Sequence, residues 1–540
     1  MTDTRGTADA ADTADASVRA RPPWVAGLLL VGAVVLCWII ATPLSGGPDE
    51  PAHLIRGGAL VRGQLDGQPS EISPTLRVYE LPVWLTHPDP TCFALQPYNP
   101  VDCATTVPRP DGVGPVASTA TDYQIWGHLL PGLGTLLPAE VGGWVARLFD
   151  AALPVLVVAL ALRASAQRSR LAFASGLLAL TPMAWFMFAV VNPSGLVIAG
   201  GLGLWVALGA GGLIRNAADR LDLRPWLAAI SWALLTLPRR DGLLWAVLIL
   251  SVSALSSGWS LPRLLRSLGR GPLVLGAVAT VATLAWAATS DNSSAQLLLV
   301  LPLIPVVVEL GRRCWGSRAL ASVGRRAAAV ALAVPALLVA AYFVMDRRAG
   351  GYDADVMRLV VGRTGRHLDE AVGVLGWLDA PLPTGFLYLW LIGLGILAGF
   401  AIAEGAWVRL TASGSVVLVG IGASWVLEMA QGDPTGTYWQ GRYGLPFLLG
   451  AVVVLGHQRL ARPADLRVAV AVAGLAVLVV NAALMAMMRR WGVGLAGSLW
   501  PWDWDTYDAP LPPLVVIVLH AAATTGLAAW GLGLRRRALS

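Results

Sequence analysis

The chain has 540 residues, of which 56% are hydrophobic and only 13% are charged, and its formal net charge is +6. Soluble domains carry roughly 25% charged residues, and the deficit here extends along the whole chain, which excludes a soluble enzyme with a single membrane anchor. The positive charge is almost entirely Arg and recurs between apolar segments rather than in one basic stripe, which argues against nucleic acid as a partner.

Apolar windows predict an all-α polytopic membrane protein. A helix needs about 20 mostly apolar residues to cross the hydrocarbon core, and the sequence predicts about fourteen such transmembrane helices. The predicted spans are 24–43, 143–164, 171–191, 194–214, 225–237, 242–257, 272–289, 295–310, 327–345, 384–403, 415–431, 443–459, 467–487 and 512–533. The spans at 225–237 and 242–257 are short, which indicates tilted, broken or re-entrant helices.

The distribution of Arg predicts the orientation in the plasma membrane. Every second connection is rich in Arg, so these connections and both termini are predicted to be cytoplasmic. The domain organisation is then a disordered N-terminus (1–23), a transmembrane domain (24–533) and a basic tail (534–540). The transmembrane domain carries two long extracytoplasmic loops, 44–142 and 346–383, and no segment is predicted to be a soluble domain with its own core.

The first candidate site directly follows the first span. On a helix beginning near Asp49, the side chains of Asp49, His53 and Arg56 share one face, with Glu50 within reach of His53. This combination can deprotonate a hydroxyl, hold a divalent cation such as Mg²⁺ or Mn²⁺, or bind a phosphate. The alternative is a capped interfacial helix with a solvated polar face.

Further candidates are Arg residues that the span count places on the outer side. Arg239 and Arg240 lie between two short spans, and Arg442 with Tyr443 begins a later one. The planar guanidinium of Arg suits phosphate. Two alternatives remain open: the pair at 239–240 lies in a cytoplasmic re-entrant hairpin, or Arg442 and Tyr443 merely anchor a helix at the headgroups.

Two other features of the outer side have structural interpretations. Cys92 and Cys103 in the first loop are predicted to form a disulfide if that loop is extracytoplasmic, with two free thiols as the alternative. Tryptophans near the last span are interpreted as an interfacial belt, with a sugar-stacking platform as the alternative; they are Trp491, Trp500, Trp502 and Trp504. The sequence has no Walker A motif and no zinc-protease motif.

Five short segments resemble motifs of one bacterial family. They are Pro-Asp-Glu-Pro-Ala-His at 48–53, Asn-Pro-Ser-Gly at 192–195, Arg-Arg-Asp-Gly at 239–242, Gly-Trp-Leu-Asp at 376–379 and the segment from Gln440 to Pro446. The family is domain-of-unknown-function family 2142, predicted multi-pass membrane proteins, and the resemblance runs from about residue 25 to 460. Its layout is similar to that of the GT-C glycosyltransferases, whose long first outer loop begins with an acidic residue.

That architectural similarity implies an inverting glycosyltransferase on the extracytoplasmic side. A polyprenyl-phosphate sugar would be the donor and a cell-envelope glycan the acceptor. Asp49 or Glu50 would be the base or a metal ligand, and His53 would orient the carboxylate. Arg56, Arg239, Arg240, Arg442 and Tyr443 would bind the donor phosphate. The alternatives are a transporter or flippase of a lipid-linked glycan, and a non-catalytic envelope-assembly protein.

Overall fold

The computed structural model describes residues 24–73, 76–121, 123–209, 223–257, 260–290, 296–315, 354–431, 438–456, 464–504 and 509–533. The helices are α1 Trp24–Ala41, α2 Glu50–Leu60, α3 Asp102–Thr105, α4 Leu129–Gly134, α5 Ala139–Arg168, α6 Arg170–Ala179, α7 Pro182–Met187, α8 Pro193–Leu208, α9 Arg224–Thr236, α10 Gly242–Ser257, α11 Leu261–Leu268, α12 Arg270–Thr289, α13 Leu303–Trp315, α14 Ala354–Gly362, α15 Thr364–Gly373, α16 Thr384–Ala403, α17 Trp407–Gln431, α18 Gly441–Leu455, α19 Ala464–Val493 and α20 Pro513–Leu532. The strands are β1 Gln68–Pro69, β2 Arg77–Pro82, β3 Val113–Ser118, β4 Val374–Leu375 and β5 Ala380–Pro381.

Seven of the described helices are long and apolar enough to cross a membrane, namely α1, α5, α12, α16, α17, α19 and α20. Helices α10 and α11 make an eighth candidate if they form one span bent by 110°. The described residues therefore support a polytopic membrane protein but do not confirm fourteen spans. Several predicted spans are apolar helices of only 10–17 residues. The predicted span 327–345, the N-terminus 1–23, the tail 534–540 and residues 346–353 of the second loop lie outside the described residues.

The predicted span 171–191 is two helices, α6 and α7. The chain leaves the helical conformation at Leu180, and the hydroxyl of Thr181 accepts a hydrogen bond from the backbone N–H of Ala184 to begin α7. Pro182 occupies the first turn of α7, where its missing N–H costs nothing. The break therefore follows from local sequence, because a cap followed by proline restarts a helix.

The segment between α1 and α5 contains a small core that the sequence did not predict. Strands β1, β2 and β3 form an antiparallel sheet in that order, with Tyr79 opposite Val116. The sheet packs against α2 through Ile55 and Ala59, which form a buried apolar cluster with Tyr79, Leu81, Leu85 and Val116.

Helix α8 positions the elements that carry the candidate site. It packs against α5, α9, α10 and α18. Gly201 of α8 faces the backbone of Pro446 in α18, and Gly200 faces the backbone of Ser231 in α9, where a Cβ atom would collide. Small residues at these crossings let the helix backbones approach closely. Consequently, the start of α8, the end of α9 and the start of α18 meet beside the segment that follows α1.

Candidate functional site

Asp49 stands at the N-cap position of α2 in an unusual backbone conformation. Its φ is 61° and its ψ is 6°, in the left-handed region that residues other than glycine rarely adopt. Its side chain does not cap α2. Instead, Oδ2 of Asp49 accepts a 2.6 Å hydrogen bond from Nη2 of Arg442, while 43% of the Asp49 side chain stays exposed. The simple helix-cap alternative therefore does not describe this carboxylate, which remains accessible to a second molecule.

Arg442 is the second residue of α18, and only 1% of its side chain is exposed. The start of α18 is fixed by Glu370, whose Oε2 accepts a 2.9 Å hydrogen bond from the backbone N–H of Gly441. Nε and Nη1 of Arg442 are buried and have no hydrogen-bond partner among the described residues. Buried polar groups are nearly always hydrogen-bonded. Two donor nitrogens of Arg442 therefore lack a partner among the described residues, and either could be satisfied by water or by an anionic group.

Arg239, at the end of α9, lies beside Arg442 and shares a tyrosine with it. The guanidinium carbon is 4.5 Å from the ring centre of Tyr443 for Arg239 and 5.0 Å for Arg442. Nε and Nη2 of Arg239 donate to Asp241, and Nη1 donates to the hydroxyl of Ser194. Each nitrogen of Arg239 thus already has a protein partner. This residue would therefore act on a bound anion mainly through its positive charge rather than through new hydrogen bonds.

Arg240 lies toward the exposed side, where its Nη2 donates to the hydroxyl of Tyr438 at 3.3 Å. Of the residues singled out in the sequence, the structure therefore brings together Asp49, Arg239, Arg240, Arg442 and Tyr443. It also adds Tyr123 from the first loop, whose ring centre is 5.6 Å from the guanidinium carbon of Arg239. No sequence motif marks Tyr123.

Glu50 does not join this cluster, although it is adjacent to Asp49 in sequence. Its Oε1 accepts hydrogen bonds from Nε of Arg147 at 2.7 Å and from the backbone N–H of Val191 at 3.0 Å. Its Oε2 accepts from Nη2 of Arg147 at 2.7 Å and from the backbone N–H of Gly47 at 3.1 Å. Both carboxylate oxygens are buried and engaged, so Glu50 has a structural place rather than an open catalytic one.

The sequence analysis did not identify Arg147, the partner of Glu50. Arg147 and Asp150 both lie within the apolar helix α5, and both are buried. Ionisable residues inside an apolar span are costly and usually have a partner or a function. Two ionisable residues three positions apart in an apolar segment were the sequence signal that could have identified Arg147.

One comparison with known proteins gives a match. The family model described as predicted membrane protein (DUF2142) matches residues 30–451. The chain belongs to the DUF2142 family. The matched part includes all the clustered residues, from Asp49 to Tyr443. No curated protein and no solved structure matches the chain.

A buried histidine pair lies next to the cluster of this DUF2142 protein. Nδ1 of His53 and Nε2 of His128 are 3.0 Å apart, and the ring of Tyr123 lies edge-on to both imidazoles. Burial lowers the pKa of His53 to about 3, and the positive charges of Arg239 and Arg442 act in the same direction. Burial likewise holds the pKa of His128 well below its usual range. Both imidazoles are therefore neutral at ordinary pH, and the described partners of the His53 ring are His128 and Tyr123 rather than a carboxylate.

Arg56 lies apart from the other residues that were predicted to bind the donor phosphate. Its Nη1 donates to the backbone oxygen of Leu65 at 2.6 Å and to the hydroxyl of Tyr79 at 3.0 Å. Helical spacing placed Arg56 on a face with Asp49, but Asp49 precedes the helix in a left-handed conformation, so its side chain does not follow the helical pattern. The structure thus uses Arg56 to attach the first-loop sheet to α2.

The two predicted ligands of a divalent cation do not converge in this DUF2142 protein. Glu50 uses both oxygens on Arg147 and on backbone N–H groups, and Asp49 is paired with Arg442. Across the described ranges, no group of three or more His, Cys, Asp or Glu is arranged to hold a metal ion. The side chains present do not fit the predicted Mg²⁺ or Mn²⁺ site.

The first loop is also held at a point distant in sequence from Asp49. Cys92 and Cys103 are joined by a disulfide, with their Cα atoms 6.2 Å apart. Arg490 at the end of α19 donates to the backbone oxygens of Phe93 and Asn99 within this disulfide loop and to the carboxylate of Asp379. Arg490 therefore connects the disulfide loop to α19 and to Asp379.

The four tryptophans of the predicted belt divide into two pairs. Trp500 and Trp502 are exposed and stacked, with ring centres 5.1 Å apart. Trp491 and Trp504 are buried. Only the first pair is therefore placed to meet the membrane interface.

Proposed function

We propose that this protein is an inverting glycosyltransferase that moves a sugar from a polyprenyl-phosphate donor to a cell-envelope acceptor. The reaction would take place at the extracytoplasmic face of the plasma membrane, where Asp49 and the three arginines would lie. The observation that carries the proposal is the pairing of an exposed carboxylate, Asp49, with a buried guanidinium, Arg442, that has two unused donors.

In the proposed reaction, Asp49 accepts a proton and Arg442 stabilises the leaving group. The acceptor hydroxyl oxygen attacks the anomeric carbon, and its proton passes to the carboxylate of Asp49. The bond between the anomeric carbon and the phosphate oxygen breaks, and its electron pair leaves with the phosphate. One of the unused donors of Arg442, Nε or Nη1, would donate to the phosphate as its charge develops, which is where a fixed donor contributes most to catalysis.

Arg442 contacts the proposed base, Asp49, and would also contact the leaving phosphate. Its Nη2 holds Asp49 while its other donors are available to the donor phosphate, so one planar group sets the distance between base and leaving group. Arg240, at the exposed edge, adds positive charge where a lipid phosphate would enter. Arg239 adds charge behind Tyr443, and the neutral imidazole of His53 lies within the influence of both buried arginines.

The test uses the purified full-length protein in liposomes with a radiolabelled polyprenyl-phosphate sugar and a cell-envelope glycan fraction. Asp49→Asn keeps the shape of the side chain and removes the proton acceptor. General base catalysis is worth typically 10²–10⁴-fold in rate, so transfer should fall by about that factor. Asp111→Asn, an exposed first-loop change, is the matched control and should transfer normally.

Absence of transfer by the wild type would reject the enzyme. Movement of the lipid-linked sugar between leaflets in the same liposomes would then favour the transporter alternative. Full transfer by the Asp49→Asn variant would show that another group accepts the proton.

A further inference from the structure

Asp49 has a left-handed backbone conformation, which aspartate adopts more readily than most residues with a Cβ atom but still at a cost in free energy. A left-handed conformation at a residue with a Cβ atom costs free energy, so it persists only where the surrounding structure determines it. The contact with Arg442 involves the side chain and does not fix φ. Part of the cause is local, because the N–H of Glu50 donates a 3.2 Å hydrogen bond to the backbone oxygen of Gly47 and closes a turn with Asp49 at its third position, where type II turns have a positive φ. The residues that hold the peptide units on either side of Asp49 fix this turn against the helices.

The peptide unit before Asp49 is held by Asn192. Nδ2 of Asn192 donates a 2.9 Å hydrogen bond to the backbone oxygen of Pro48. Asn192 is itself fixed at both ends, because its Oδ1 caps the start of α8 at Ser194 and its backbone N–H donates to Oδ2 of Asp150. Asn192 is buried. The position of the Pro48 carbonyl is thus set by α8 and α5.

The residue after Asp49 is held by Arg147. The two-point contact between Arg147 and Glu50 fixes the side chain of Glu50 against α5. The same guanidinium donates to the backbone oxygens of Thr42 and Pro43, just beyond the end of α1. The Glu50 side chain therefore ties the start of α2 to the end of α1, leaving Asp49 to turn the chain between two fixed points.

We infer that Arg147, Glu50 and Asn192, here called the Asp49 support, are positioning residues that hold the left-handed turn at Asp49 in place and thereby aim its carboxylate at Arg442. The catalytic consequence rests on the proposed function, but the conformational part does not. None of the three needs to touch a substrate. The support acts on the base, whereas the unused donors of Arg442 are left unchanged.

The conformational part is tested by comparing glycine and alanine at position 49. Neither has a carboxylate, so both lose the pair with Arg442, and they differ mainly in their tolerance of positive φ. With the support intact, the Asp49→Gly protein should melt at a higher temperature in detergent than the Asp49→Ala protein. In an Asn192→Ala background the backbone can relax, so the difference between glycine and alanine should shrink or vanish.

The control background is Asn481→Ala. Asn481 also uses its side-chain amide for two hydrogen bonds, to the backbone oxygen of Val477 and the hydroxyl of Thr524 in a different part of the bundle. In that background the glycine advantage should be retained. The double variant Glu50→Gln/Arg147→Met provides a second route, because it removes both buried charges together and avoids leaving one unpaired.

The transfer assay gives the second readout. In a protein with Asp49 intact, Asn192→Ala should lower kcat on the order of 10²-fold, the effect of a small misplacement of a reacting group. The KM for the polyprenyl-phosphate sugar should change little, since Arg442 is untouched. The two readouts separate the hypotheses: a lost glycine advantage without any transfer by the wild type would support the conformational role and reject the enzyme. An equal glycine advantage in the wild-type and Asn192→Ala backgrounds, or none in either, would overturn the inference.

Discussion

Arg442 donates a 2.6 Å hydrogen bond to Asp49, a residue 393 positions earlier in the chain. The contact joins the segment after the first helix to the start of α18, and it pairs an accessible carboxylate with a buried cation. An ordinary surface ion pair contributes little to stability. In the proposed function this pair has a further role, because an unused donor of Arg442 would bind the donor phosphate.

The first prediction concerns the planar geometry of Arg442. Arg442→Lys keeps a positive charge for Asp49 but removes the fork that would contact both base and phosphate. We expect transfer to fall about 10²–10³-fold, the usual cost of losing a fixed donor to developing charge. Arg409→Lys, at the pair with Glu404, is the matched control and should transfer normally. Equal rates for wild type and Arg442→Lys would remove the bridging role.

The second prediction separates Glu50 from Asp49. Glu50→Gln leaves the fully buried Arg147 without its charge partner, and breaking such a pair typically costs about 3–5 kcal/mol. Thermal unfolding in detergent should therefore show a large loss for Glu50→Gln and a small one for Asp49→Asn, because Asp49 is partly exposed. If Glu50→Gln is as stable as the wild type but inactive, Glu50 takes part in the chemistry.

The third prediction follows from the depressed pKa values of His53 and His128. In the unfolded chain, histidine has a pKa of about 6.5, so between that value and about 3 the unfolded state binds more protons than the folded state. Stability should be complete above about pH 6.5 and should fall on acidification, by up to about 1.4 kcal/mol per pH unit for each histidine. The His53→Gln/His128→Gln variant should show a shallower dependence of melting temperature on pH. An unchanged slope would mean that other groups cause the acid sensitivity.

The fourth prediction concerns the disulfide of the first loop. Peptide mapping without reductant should recover Cys92 and Cys103 in one crosslinked fragment. The Cys92→Ser/Cys103→Ser variant should lose about 2–4 kcal/mol of stability, since the loop also presents backbone oxygens to Arg490. Recovery of both cysteines as free thiols from an oxidising compartment would contradict the crosslink.

The fifth prediction tests the orientation. Cysteine introduced at Asp111, an exposed position in the first loop, should react with a membrane-impermeant maleimide in intact cells. Cysteine introduced at Arg266, in a connection that the Arg distribution places inside, should react only after permeabilisation. The reverse pattern would place the proposed site in the cytoplasm and make a polyprenyl-phosphate donor at the outer face untenable.

Short motifs pointed to several residues that the structure brings together, but also to Glu50 and Arg56, which have other partners. Asp49, Arg239 and Arg442 lie far apart in sequence, yet each belongs to a segment whose residue types suggest chemistry, and the structure brings all three together. The motifs could not show which arginine pairs with which carboxylate. Adjacent carboxylates look equivalent in a sequence, whereas in the structure Glu50 pairs with Arg147 and Asp49 pairs with Arg442 on either side of the left-handed turn.

Helix lengths and loop structure were less accessible to the sequence. Apolar content located most helices, but it could not distinguish a full span from a short helix such as α8, because both are equally apolar. The sheet of the first loop also escaped prediction. Its longer strands have only six residues each, and they are held by contact with α2 rather than by a marked apolar alternation.

The Asp49 support has a consequence for the order in which this protein is made. Asn192 follows Pro48 by 144 positions, whereas Arg442 follows Asp49 by 393. Because the chain is synthesised from the N-terminus, the turn at Asp49 and its support can form while more than half of the chain is still to be synthesised. The Asp49–Arg442 contact can form only after α18 has been synthesised, with α19 and α20 still to follow, so Asp49 lacks this partner while most of the chain is made.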